Sequence, residues 1–409
     1  MYNCCINLMG RRLMTIKKSQ TSRTIHNLPL ATILIIAANV VVTVWAMHDF
    51  KVTVQDYGLV PSSLRVGRFI AASFIHDGFV HLAINMLLLY VFGSAMERAM
   101  GRLEFSLFYV GACLASSLLH VAIVYAALPP EYAKQAVVGA SGAVAGVMGL
   151  YAVRYHRKIF KLDGIEVSAL FLIMAWLLVQ VGLGVLALYR DDIFGVRLGY
   201  VAYWSHLGGF MFGIVTALIA NMALQGAREH LISEGKANYE QGNLLEAAQD
   251  YESLLKYDPD NALANAELGR LWAIMEDEGQ SLPCYRNAVR LYIREGREDK
   301  AIEAVAEMKR FWPDFTLNPA ERFRLATYLG ELGQVKRAIT ALQEIAEHSP
   351  DSSEAQMSMI KIGHLQLSSL KNASQAQATL TAFLQRYPDS EWRALAMEML
   401  ERAEMRQRA

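Results

Sequence analysis

Four cysteines in 409 residues are too few and too scattered for a disulfide framework or a metal site. Cys4 and Cys5 are neighbours in a basic tail, Cys113 lies in an apolar run, and Cys284 lies in a charged helical region, so all four are read as unpaired thiols. Net charge is also lacking, because 39 Lys and Arg balance 39 Asp and Glu. With no concentrated basic patch in the charged half, nucleic acid is not an expected partner. That half also lacks a nucleotide-binding loop and a metal cluster, and no cofactor is expected. The first apolar run is about 20 residues long and has no small-residue cleavage site after it, which excludes a typical secretory signal.

Long apolar runs are what the first half has instead. Up to about Asn221 they dominate; afterwards charged residues, Ala and Leu alternate at helical spacing. The chain is thus expected to be all-α, with a membrane part at 28–221, preceded by a basic tail at 1–27 and followed by a soluble helical part at 222–409. Six stretches match the roughly 20 residues that a bilayer core demands: Leu28–Met47, Gly78–Met96, Phe105–Leu128, Val137–Val153, Val167–Tyr189 and Val201–Ala220. Lipid offers no partner to an open strand edge, so each is expected to be helical. Basic residues set the orientation. Arg11, Arg12, Lys17, Lys18 and Arg23 precede the first run, and Arg154, Arg157, Lys158 and Lys161 follow the fourth. That bias predicts a cytoplasmic N-terminus and, with an even number of spans, a cytoplasmic C-terminal half. The plain basic tail favours a bacterial plasma membrane over an organelle. The mixed 48–77 loop is expected outside, where its apolar residues can rest in the interface.

Polar residues inside membrane helices are costly, so their positions carry information. Ser141 opens the fourth stretch among small residues, with Gly139, Ala140, Gly142 and Gly146 around it. His206 opens the sixth, beside a ridge of Gly209 and Gly213 that lets another helix pass closely. His81 and Asn85 are four apart, on one face of the second. These three stretches all enter from the outer side, and all three signals fall within a turn or two of that boundary at about 1.5 Å per residue.

Such a group fits acyl transfer. A serine hydroxyl needs a base to take its proton, and His206 can do so and later protonate a leaving amine. The Ser141 N–H at a helix start, with His81 and Asn85, can meet an oxyanion. No acidic third member is evident near this depth, so a Ser141–His206 dyad is expected, with the histidine held by packing. The run Phe74–Met86, then Gly139-Ala140-Ser141-Gly142, then His206-Leu207-Gly208-Gly209 with Gly213, resembles the rhomboid intramembrane serine proteases. The resemblance implies a six-span bundle with Ser141 as nucleophile and His206 as base. His81 and Asn85 would be oxyanion donors, Gly139 part of the turn beside Ser141, and His76 structural. It further implies a fifth helix that gates substrate entry, and transmembrane-protein substrates cut near the outer face. Two departures stand out. Ala145 occupies a position where many members carry an aromatic against the histidine, so Tyr203 or Trp204 is expected to substitute. Ser205 stands where alanine is common.

After Asn221 a frame of Gly, then Ala five residues on, then Pro twelve further on, recurs: Gly242–Ala247–Pro259, Gly296–Ala301–Pro313 and Gly333–Ala338–Pro350, with a weaker copy at Ala376 and Pro388. Gly235 and Gly269 are 34 apart, and the unit after Asn261 is degenerate. This resembles tetratricopeptide repeats, which stack into a solenoid able to bind protein or peptide partners. The expected function is an intramembrane serine endopeptidase in a lipid bilayer, with repeats that recruit a partner or substrate. The alternatives are a non-catalytic relative that binds membrane clients, or a repeat-bearing membrane scaffold.

Overall fold

The computed structural model describes residues 28–162, 165–189, 192–193, 196–197 and 202–408. The basic tail with Cys4 and Cys5 lies outside the described residues, as does Arg190 in the loop after the fifth stretch. The chain divides into two compact units, one up to Glu229 and one from His230.

Helices stand at all six apolar stretches. They are α1 Leu30–Ala46, followed by a short α2 Phe50–Tyr57, α3 Phe79–Met100, α4 Arg102–Ala127, α5 Ser141–Arg154, α6 Ala169–Tyr189 and α7 Tyr203–Ile219. Among the described residues, four segments are long and apolar enough to cross a membrane alone: Leu30–Tyr57, Phe79–Met100, Arg102–Ala127 and Ala169–Ala187. Helix α5 has 14 residues and α7 has 17, or about 21 and 25 Å at 1.5 Å per residue. These two are shorter than a roughly 30 Å hydrocarbon core. Their apolar content serves a different purpose, because α5 is buried on nearly every side. Two antiparallel hairpins break the all-helical pattern: β1 Ile159–Leu162 with β2 Ile165–Ser168, and β3 Asp192–Ile193 with β4 Val196–Arg197.

The fourth stretch departs from its expected helix at the end that matters. Residues 137–140 are not helical. Val137 pairs with Leu59 through both backbone groups, at 2.9 and 3.0 Å. Gly139 has φ +127°, a conformation that a side chain disfavours. The helix therefore begins at Ser141 itself. Hydropathy could not separate this apolar extended segment from the helix it leads into.

Buried charges hold the frame around it. Glu97 is 3% exposed and caps α1: its carboxylate accepts from the N–H groups of Ala31 (2.9 Å) and Thr32 (2.7 Å) and from the Thr32 hydroxyl (2.8 Å). A carboxylate there satisfies amides that the helix cannot and opposes the positive end of its dipole. Arg68 folds the loop after α2, donating to the carbonyls of Gln55, Asp56 and Ser63 at 2.7, 3.0 and 3.1 Å. Tyr125 of α4 donates to the Pro61 carbonyl at 2.7 Å, tying that loop to the bundle. At the far end of α5, Arg154 is buried and donates to Gln225 (2.5 Å) and Glu229 (2.6 Å).

The second unit is an array of helix pairs: α8 Met222–Glu240, α9 Leu244–Tyr257, α10 Ala262–Ile274, α11 Glu278–Arg294, α12 Glu298–Phe311, α13 Pro319–Glu331, α14 Val335–His348, α15 Ser353–Ser368, α16 Ala373–Arg386 and α17 Arg393–Arg408. Helix α8 begins in the first unit. The recurring glycine is a left-handed turn residue, with φ +83° at Gly242, +70° at Gly296 and +74° at Gly333. Lys371 fills that place in the weaker copy, at φ +51°. The recurring alanine is fully buried at 247, 301, 338 and 376. In the degenerate unit Glu276 takes the turn (φ +61°) and Ser281 takes the buried position. The proline position there is Ile293. With no proline to stop it, α11 runs for 17 residues and turns directly into α12.

Replacing Glu97 with Ala strands the α1 amides, and each unpaired buried donor costs about 1–3 kcal/mol. Thermal unfolding in detergent is expected to show a clearly lowered Tm for Glu97→Ala, with Glu97→Gln between it and wild type.

Candidate active site

Ser141 and His206 meet because two helix backbones are allowed to touch. Glycines line the α5 face at 142, 146 and 149 and the α7 face at 209 and 213. A β-carbon on Gly209 would sit 1.8 Å from the Gly142 carbonyl oxygen, and one on Gly213 2.1 Å from that of Gly146. No side chain fits in those gaps. The sequence reading took Gly142, Gly209 and Gly213 as close-packing positions, and the structure puts all three in this one seam.

At the top of the seam the Ser141 Oγ lies 2.7 Å from His206 Nε2. The other ring nitrogen, Nδ1, lies 2.8 Å from the Gln180 Oε1 of α6. A carbonyl oxygen only accepts, so Nδ1 carries the hydrogen and Nε2 is left free to accept from the serine. The Trp176 ring, one turn earlier on α6, lies 5.7 Å from the imidazole centroid at a 41° tilt. The histidine is therefore held by an amide and an indole from α6, not by packing alone. Sequence reasoning missed both. Tyr203 and Trp204 were expected to replace the aromatic that Ala145 lacks, but it is Trp176 that meets the ring. The available signal was that Gln180 is the one amide in an otherwise apolar α6. The Ser205 hydroxyl faces elsewhere, toward Gly142 and Ser116 in the seam.

Helix α3 brings His81 and Asn85 to one cavity with Ser141 and His206. It holds about 530 Å³ and is lined by Ser141, His206, His81, Asn85, Trp176 and residues of α2 and α3, including Phe50 and Ile84. His81 Nδ1 is 2.6 Å from the Asp77 carboxylate. A β-carbon on Gly139 would come within 2.9 Å of the His81 ring, so the left-handed glycine is also what admits that histidine. Asn85 is buried, and its Nδ2 donates to the His81 carbonyl at 3.0 Å. His76 takes no part in the cavity wall. The Thr43 hydroxyl donates to the Phe74 carbonyl (3.2 Å) and contacts His76 Nδ1 (3.0 Å), while Ala140 N–H donates to His76 Nε2 (3.3 Å). His76 thus fixes the residue before Ser141. The Ala140 amide is engaged, while the first amides of α5, beginning with Ser141, have no partner within their own helix.

Comparison with known proteins matches two parts of the chain to known families. Residues 63–222 match the family model described as Rhomboid domain. Residues 232–275, and then 322–352 and 358–390, match models described as Tetratricopeptide repeat. Among curated proteins the chain is similar to Rhomboid protein 1, mitochondrial, of Saccharomyces cerevisiae, at 28% identity over 192 residues, 45% of this chain and 49% of that one. It is similar to Rhomboid protease GluP of Bacillus subtilis, at 29% over 162 residues, 39% and 27% of the two chains. Rhomboid-type serine protease 2 of Emericella nidulans is 29% identical over 171 residues, 40% and 29%. The chain spans about half the length of the yeast relative and less of the other two. It therefore carries a rhomboid domain followed by tetratricopeptide repeats, in a multi-pass membrane protein.

A methyl group on Gly209 has nowhere to go between two backbones. Gly209→Ala is expected to spread the α5–α7 seam, lower the Tm in detergent and weaken covalent labelling of Ser141 by a fluorophosphonate probe. Gly182→Ala, on α6 with open space around it, is the matched control and is expected to change neither.

Proposed function

We propose that the rhomboid domain is an intramembrane serine endopeptidase with Ser141 as nucleophile and His206 as general base. The observation that carries this reading is the 2.7 Å contact between Ser141 Oγ and an imidazole nitrogen whose opposite nitrogen is committed to Gln180. Proton flow then has one direction. His206 Nε2 takes the hydroxyl proton as Ser141 Oγ attacks the scissile carbonyl carbon. The carbonyl electrons move to oxygen, where the Ser141 N–H, His81 and Asn85 supply donors. The helix start beneath Ser141 adds its positive end to the same point. The imidazolium returns its proton to the leaving amine, the acyl-enzyme forms, and a water activated by the same histidine releases the new carboxyl end.

His81 plays its part on one condition. With Nδ1–H given to Asp77, donation from Nε2 requires protons on both ring nitrogens. The Asp77 carboxylate is the counter-charge for that form. Asp77 joins Gln180 and Trp176 as a positioning residue, in a triad of supports that touch the reacting groups only through the two histidines.

The substrate class follows from where the cavity lies. Ser141, His206 and His81 each sit at or near the first turn of their helices, at one level, so a peptide bond must be presented close to one membrane face. In this reading 28–221 forms a six-crossing protease domain, with α5 and α7 as its two short crossings. Its substrates are proteins with a transmembrane helix, cut near the outer face. The N-terminal tail at 1–27 and the repeats from 222 lie in the cytoplasm of a bacterium whose plasma membrane holds the domain. The repeats recruit a protein partner or a substrate tail.

Reconstitution with a single-span substrate tests the chemistry. Ser141→Ala and His206→Ala are each expected to abolish cleavage while leaving the Tm near wild type, and cleavage that survives Ser141→Ala removes the proposed nucleophile. Gln180→Leu is expected to lower kcat roughly ten-fold or more with little change in KM, the scale of one lost buried hydrogen bond. An unchanged kcat would show that Trp176 and packing suffice to hold His206.

A further inference from the structure

The repeat array is not uniform, and its irregularity opens a groove. Tight left-handed turns join α8 to α9, α13 to α14 and α15 to α16, which is the ordinary pairing. Helices α10, α11 and α12 instead run through two such turns in succession, at Glu276 and Gly296. The array thereby slips by one helix before α13 starts the next pair. The buried core divides at the slip. Tyr285, Ala288, Ala301, Met308, Phe315 and Leu325 belong to one cluster, while Ala326, Ala338, Leu342 and Ile345 belong to the next. Adjacent residues of α13 thus face different cores. Between α12, α13 and α14 lies an open groove of about 940 Å³, at the upper end of the roughly 300–1,000 Å³ typical of ligand sites.

Its chemistry is uneven in a useful way. The floor is apolar, with Ile302, Val305, Leu317, Leu325 and Leu329. The rim carries Lys309 from α12, Arg322 from α13, and Lys336 and Arg337 from α14. Glu344 is the one carboxylate on that rim, and Arg322 pairs with it at 3.5 Å. A smaller cleft shares Thr316 and Leu317 with the groove and adds Arg286 and Arg290 against Glu321. Cations therefore outnumber carboxylates along the whole length, above a floor of aliphatic side chains and Phe315.

We propose that this groove binds an acidic protein segment that carries apolar anchor residues. The anchors occupy the aliphatic floor and the carboxylates meet the rim. This deepens the recruiting role proposed for the repeats and rests on it. The distribution of charge selects the occupant. Cations on three different helices fit charge spread along a chain, whereas an anionic lipid carries its charge at one end. The chain's own N-terminal tail, with Arg11, Arg12, Lys17, Lys18 and Arg23 and no carboxylate, is repelled.

The test is selection of a displayed library of random 12-residue peptides on full-length protein in detergent, followed by fluorescence anisotropy of the enriched sequences. The enriched peptides are expected to combine Asp or Glu with Leu, Ile, Phe or Met, and to bind more weakly as salt rises. Two variants separate charge from space. The double change Lys336→Glu with Arg337→Glu is expected to weaken binding at least ten-fold. Thr340→Trp, at an exposed rim position, is expected to do the same by filling the groove. Enrichment without acidic bias, or affinity that survives both variants, overturns the proposal. So does concentration-dependent self-association, or binding to phosphatidylglycerol vesicles, that takes the place of peptide binding and is lost in the same variants. Cleavage of a single-span substrate lacking the peptide is measured in parallel and is expected to stay at wild-type rate in both. A failure of the groove is thereby kept apart from a failure of the Ser141 chemistry.

Discussion

Two helix backbones in van der Waals contact are the constraint on which the membrane unit depends. Gly142, Gly146 and Gly149 of α5 meet Gly209 and Gly213 of α7 with no room for a β-carbon at the closest points. Lipid tails supply little hydrophobic drive between helices, so close approach and the dispersion contacts it allows have to hold the pair. That same closeness sets the reach of short side chains. A serine hydroxyl extends barely beyond its own backbone, and it contacts His206 only because the two helices start side by side. The packing motif and the Ser141–His206 contact are one feature seen at two depths.

Around that seam the structure spends buried polar groups on positions that cannot move. Glu97 fixes where α1 begins, Arg68 folds the loop whose Leu59 pairs with Val137, and His76 takes the amide just before Ser141. A buried polar group is tolerable only when its partners are complete. Each of these groups bonds the backbone, Glu97 and His76 with a threonine hydroxyl besides, so each acts as a spacer of defined length. Together they present Ser141 as the first residue of a helix, where its amide is unclaimed by the helix itself.

Much of this was legible in the sequence because it was written in residue types with few other uses there. Glycine at four-residue spacing, a serine among small residues, and histidines at matching depth have no common alternative in a membrane helix. What escaped was whatever depended on the angle between helices. Gln180 stands out as the one amide of an apolar span and Trp176 looks like an ordinary member of it, but only the placement of α6 beside α7 makes them partners of His206. The start of α5 escaped for another reason, since Val137 and Val138 are as apolar extended as they would be helical. Gly139, with its left-handed backbone, was the visible marker of the break. In the repeats the glycine–alanine–proline frame predicted turns, buried contacts and helix ends together. Its one missing proline, at Ile293, is where the array changes step.

The cavity has a floor and walls of different kinds. The floor is Ser141, His206, His81 and Asn85, and the glycine seam that brings the first two together leaves almost no room for substitution. The walls are side chains: Phe50 and Val54 from α2, and Ile84 and Leu88 from α3. Variation is cheap on one and ruinous on the other. A lineage carrying this scaffold can therefore change the shape it admits while its chemistry stays fixed. A selective inhibitor has the same choice to make: contacts to the floor engage the chemistry, whereas contacts to the walls engage the shape particular to this chain.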